Sequence, residues 1–146
     1  MRRPLLLFLA SVAILAVVVL ANSIRQNPVR ELLSNGDAEI PTDSAYVRWY
    51  AHAAHCLGIV APYDRRLRYF VGHRVPASWE QRRITDIAGY TNRGLHMILI
   101  APRFVQDSAV VVHEQVHNAM TRDGHPPQYF AVAVATRCGL TPGVDR

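Results

Sequence analysis

The stretch Val111-Val112-His113-Glu114-Gln115-Val116-His117 constrains this chain more than any other. Residues four apart on a helix lie one turn above each other, so His113 and His117 project from one face. Glu114 stands one step round. Val112, Val116 and Met120 make an apolar stripe at the same spacing, and Asp107 or Ser108 can cap the start. Two imidazoles so placed can bind one Zn2+, with Glu114 able to take a proton from zinc-activated water. The alternative is a core helix with two incidental histidines. It would have to bury a carboxylate beside them, which is costly without a partner.

Two ligands rarely hold zinc, so a third is expected. His125 in Asp123-Gly124-His125-Pro126-Pro127 is the first candidate. The helix can stop near Arg122, Gly124 permits a left-handed reversal, and Pro126 forces His125 out of helical backbone. A second helix starting at Pro127 would hold His125 at a rigid elbow beside the first. Asp123 is the second candidate for the third ligand. The plainer reading makes His125 a turn residue only.

Residues His113 to His117 resemble the active-site helix of zincin metallopeptidases. The longer stretch from Val112 to Cys138, with its His-Pro elbow, is similar to small HExxH metallopeptidases among exported bacterial proteins. It spans roughly the last third of the chain, and only the His-Glu-His core is specific. The metzincin pattern would need Gly at position 120 and His at 123; Met120 and Asp123 exclude that branch. No Glu follows at the long spacing of thermolysin-like enzymes. The resemblance implies an α+β domain with a small, mainly antiparallel sheet, the HExxH helix and flanking helices. It implies a strand just before that helix whose edge pairs with an extended substrate. It also implies zinc-dependent hydrolysis of a peptide or protein, with zinc on His113, His117 and His125 and Glu114 as general base. Tyr129, next to the elbow, is the candidate oxyanion partner.

The amino end has a different character. Arg2 and Arg3 precede an uncharged apolar run from Leu5 to Ala21, which reads as an export signal or a membrane anchor over residues 1–21. Val19 and Ala21 offer a cleavage site, whereas an uncharged run of seventeen residues, all apolar but Ser11, favours an uncleaved anchor. In either case the arginine pair stays cytoplasmic and the rest lies outside, anchored, periplasmic or secreted. Without Arg2 and Arg3 the formal charge falls from +5 to +3. That is too little to argue for nucleic acid. The short basic run at Arg65, Arg66 and Arg68 reads as a solvated turn rather than a phosphate site.

Cys56 and Cys138 are the two cysteines, and in an exported chain they suggest one disulfide, worth about 2–4 kcal/mol. Neither stands at metal-ligand spacing from the histidines. Residues 22–42, broken by Pro28, Asn35, Gly36 and Pro41, read as a linker with one short helix at Val29–Leu33. The domain then covers 43–146. Asp43 caps a helix over Ala45–Cys56 that ends at Gly58 and carries His52 and His55, a surface histidine and a packed one. Leu67, Tyr69 and Val71 alternate with Arg68, Phe70 and Gly72 as a strand. A short strand is expected within Ile84–Tyr90, and a strong one over Leu95–Ala101, on which His96 reads as an ordinary strand residue. A final helix from about Pro127 to Arg137 turns Phe130, Val134 and Cys138 inward.

Two other readings remain open at this point. One is a non-catalytic envelope domain, for binding or scaffolding, in which Asp123 or Asp145 closes a structural zinc site. The other is a metal-free domain braced by the disulfide alone.

Overall fold

The computed structural model describes residue 12 and residues 27–80, 84, 86–122 and 124–143. The apolar run at the amino end, Asp123 and Asp145 lie outside the described residues. The chain order is α1 (Pro28–Ser34), β1 (Ala38–Ile40), α2 (Ser44–Leu57), β2 (Arg68–Val71), β3 (Gly89–Asn92), β4 (Met97–Ile100), α3 (Ser108–Ala119), α4 (Pro127–Phe130) and α5 (Val132–Arg137). This is an α+β fold around one four-stranded sheet of order β1-β2-β4-β3.

The sheet is mixed, not mainly antiparallel at its centre. β1 and β3 pair antiparallel at the two edges, but the central strands β2 and β4 run parallel, with Tyr69 opposite Ile98. Helices cover both faces, so alternate side chains of one strand are buried on opposite sides. Tyr69, Ile98 and Ile100 pack with Tyr46 of α2 and Val111 of α3. Phe70, Met97 and Leu99 pack on the other side with Leu32 of α1, Val75 and Ile87. The alternation read in the sequence at β2 is therefore real in direction but does not separate core from solvent: Tyr69 and Phe70 are both fully buried.

From residue 27 on, the stretch expected to be a linker contributes to this core. Leu32 is fully buried, and β1 supplies an edge strand to β2, where Arg68 donates two hydrogen bonds of 2.7 Å to the Glu39 carboxylate. The polar, Pro- and Gly-broken composition reflects short elements, three and seven residues long, rather than missing structure. α2 matches its expected capping: the Asp43 carboxylate accepts from the Ala45 amide, and Gly58 closes the helix in left-handed conformation.

Other boundaries shift. The strand expected over Leu95–Ala101 begins only at Met97, because Arg93–Leu95 forms a single 3-10 turn and His96 takes left-handed backbone at φ 53°. The strand expected within Ile84–Tyr90 starts at Gly89. The last helix is split into α4 and α5 by Ala131, whose ψ of 139° is extended. Of the three residues expected to face inward there, Phe130 and Cys138 are buried and Val134 is only half-buried.

Candidate metal centre

Asp107 starts α3 by accepting from the Ala109 and Val110 amides, and the first turns bury Val111 against the sheet and Val112 against the neighbouring helices. The helix stops at Ala119 rather than near Arg122. The carbonyl of its C-cap residue is met from the β3–β4 hairpin, where Arg93 Nη1 donates to Met120 O at 2.7 Å. His113 and His117 thus sit on a helix held at both ends.

The reversal at Gly124, with φ of 85°, returns the chain so that His125 meets the pair. His113, His117 and His125 form a three-imidazole cluster, with ligand atoms all within 4.8 Å of one another. His113 Nε2 lies 3.0 Å from His117 Nε2 and 3.2 Å from His125 Nε2. Nitrogens bound to one tetrahedral zinc at ~2.05 Å would be ~3.3 Å apart. The observed separations come close to that spacing.

A second contact fixes the chemistry of the central ring. His113 Nδ1 lies 2.7 Å from the Thr141 carbonyl oxygen, which can only accept, so Nδ1 carries the proton and Nε2 presents its lone pair. Both other rings approach that same lone pair. One lone pair cannot make two full hydrogen bonds, whereas one cation can serve three imidazoles.

Phe130 forms the floor of the site. Its ring centroid stands 4.6, 4.7 and 4.9 Å from those of His113, His117 and His125. This apolar setting favours the neutral form of His113 and His117. Burial lowers the pKa of His113, partly offset by its bond to Thr141. Burial, then the charges of His113, His125 and Arg93, lower His117 to about 3. Neutral imidazoles at neutral pH are ready ligands, since no proton has to leave first.

Glu114 points elsewhere than into solvent: it is 6 % exposed and lies against β3. Thr91 Oγ is 2.7 Å from the Glu114 carboxylate and 2.8 Å from its backbone carbonyl. Gly89 makes room, because a side chain there would collide with the Glu114 carboxyl group. Burial raises the carboxyl pKa to about 7, against the hydrogen bond from Thr91, which lowers it.

The remaining candidates are distributed differently. Tyr129 is half-buried, with its ring on the core formed by Val112, Val116, Met120 and Phe130. His52 and His55 are both exposed on α2, so the expected packed member of that pair is absent. His96 precedes its strand and turns its Nδ1 to within 2.8 Å of Asp64. Arg66 pairs with Asp64, and Arg68 with Glu39, as ordinary ion pairs. Cys56 and Cys138 are joined, Cα to Cα 5.5 Å, across 82 positions, and tie α2 to the end of α5. A disulfide of this kind points to an extracytoplasmic location. Among the described residues no helix is long and apolar enough to cross a membrane.

Sequence reasoning missed Thr91, Gly89, Thr141 and the role of Phe130. No local pattern signals the first three; Phe130 was legible as an inward residue but not as the floor of three rings.

No protein-family model, curated protein or solved structure matches this chain, so the three-histidine cluster stands on its own geometry as a possible metal site.

Proposed function

We propose that the chain is a zinc-dependent hydrolase of the zincin-like type that cleaves peptide bonds outside the cytoplasm. The observation that carries this reading is the convergence of His113, His117 and His125, with the buried Glu114 next to His113 in the same H-E-x-x-H helix. His113, His117 and His125 would hold the ion, and imidazole donors suit zinc. Zinc held there supplies Lewis acidity towards a carbonyl oxygen and lowers the pKa of water. The Glu114 carboxylate takes the proton of the attacking water and delivers it to the leaving amine. A carboxyl raised by burial to about 7 is matched to both halves of that task. Tyr129 is the proposed donor to the developing oxyanion, and a peptide or flexible protein segment the proposed substrate. The amino-terminal apolar run is the proposed export signal or membrane anchor.

The test is metal content and hydrolysis on the same preparations. The full-length chain should hold about one zinc, His117→Ala should hold none, and Glu114→Gln should keep zinc while losing cleavage of a mixed peptide library. Loss of zinc in Glu114→Gln would make Glu114 a ligand and remove its role as base.

One observation favours a second reading, a non-catalytic metal-stabilised domain: the Glu114 carboxylate is sealed against β3 and bonded to Thr91. Tight zinc in the intact chain with no cleavage of any library member would select it.

A further inference from the structure

Among the described residues Leu140 is the last that is deeply buried, 3 % exposed, and its amide donates to the Ala135 carbonyl at 2.8 Å. The three residues after it run back over the histidines. The Thr141 amide donates to Ala109 O at 3.2 Å, at the start of α3, and the Gly143 amide to Phe130 O at 3.1 Å, at the end of α4. Between these anchors the Thr141 carbonyl accepts from His113 Nδ1. At Gly143 the backbone lies so close to His125 that a Cβ there would collide with the Cβ and ring of that histidine. One short strap thus touches two of the three clustered imidazoles, one by a hydrogen bond and the other by packing.

The strap is held weakly. Thr141 is exposed, and Pro142 and Gly143 are half-buried, so docking rests on a few hydrogen bonds. We infer that residues 141–143 form a metal-coupled strap: the docked strap orients His113 and His125 for the ion, and the bound ion locks the strap down. The coupling has a direct cause. A cation on His113 Nε2 draws electron density from the ring, makes Nδ1–H a stronger donor, and shortens its hold on the Thr141 carbonyl. Coupling is reciprocal, so whatever factor the strap adds to metal affinity, the metal adds to strap docking. The same logic makes the strap a control point: a partner or protease that takes it away weakens the metal site without touching a ligand. This inference rests on the metal reading above, and its test separates the two.

Zinc affinity is measured by chelator competition on the full-length chain, on a variant ending at Leu140, and on Gly143→Ala in the full-length chain. Circular dichroism and the intact disulfide report that each is folded. The expected result is a loss of ~10- to 100-fold in affinity for both variants, the range for removing a group that orients a ligand. In the unaltered chain, zinc should slow hydrogen exchange at the Thr141 and Gly143 amides by a factor similar to that loss. Gly143→Ala decides the matter should the shortened chain not fold. Variants that bind zinc within two-fold of the intact chain overturn the strap and leave the metal site standing. An intact chain that binds no zinc overturns both.

Discussion

Helix α3 separates two clusters of polar side chains that differ in the charges they supply themselves. On one side His113, His117 and His125 face one another over Phe130, and among the described residues no carboxylate joins their cluster. On the other, Asp64 gathers Asn118, Arg66 and His96. Asn118 donates to its carboxylate at 3.3 Å, Arg66 Nε donates at 3.0 Å, and His96 Nδ1 lies 2.8 Å away. Burial alone would raise the Asp64 carboxyl, but the hydrogen bonds from Arg66 and Asn118 hold it well below the usual carboxylate range. A cleft of about 440 Å³ opens on that side, lined by Tyr50, Tyr63, Asp64, Gln115 and Asn118, and none of the clustered histidines lines it. The comparison teaches how to distinguish a staple from a receptor. The Asp64 cluster supplies its own positive charge and is electrostatically closed. The imidazole cluster brings ring nitrogens together, with the Nδ1 donor of His113 already spent on Thr141, and could hold an external cation.

The sharpest way to break this contrast is to exchange the losses. His117→Ala should abolish tight zinc binding, whereas Asp64→Asn should leave zinc affinity within two-fold; comparable effects would mean that the clusters are one network. The next largest effect belongs to the floor. Phe130→Ala removes a ring that is 1 % exposed, and should cost about 3–5 kcal/mol in denaturant unfolding while also weakening zinc binding. A pH series then separates His117 from Glu114 by sign. His117 is lowered to about 3 from the ordinary 6.5, so the unfolded chain binds more protons between these values. Metal-free stability from His117 is therefore present above pH 6.5 and lost as the pH falls towards 3. Glu114 has the opposite sign, its contribution being full below about 4.5 and lost as the pH rises through 7. Melting of the metal-free His117→Ala variant should show a shallower decline between pH 6 and 4 than the parent; an identical slope would remove the neutral buried imidazole. The smallest effect is the stability cost of Asp64→Asn, about 1 kcal/mol, because Arg66 is largely exposed and its pairing is screened.

What could be read from the sequence was local. The H-x-x-x-H spacing, the Asp107 cap, the Gly124 reversal and the Asp43-to-Gly58 limits of α2 each follow from a few neighbouring residues. What could not be read depends on partners far along the chain. Thr91 meets Glu114 across 23 positions, and the group that fixes the His113 tautomer is a backbone carbonyl, which every residue possesses. The parallel pairing of β2 with β4 depends on a long connection that passes through edge strand β3, and the burial of both sheet faces comes from helix placement. The short apolar runs at these strands suit a one-faced or a two-faced sheet equally. Ala131 breaks the last helix although alanine favours helix, an instance of tertiary packing overriding local preference.

The bond between Cys56 and Cys138 encloses the whole of β2, β3, β4 and α3 together with all three clustered histidines. The chain is therefore, in covalent terms, a closed ring with two tails. A single peptide-bond cut anywhere within the ring would open it without releasing a fragment, so the imidazoles would remain on one molecule. Nicked and intact protein would run at the same mass until a reductant is added, and only then would they part.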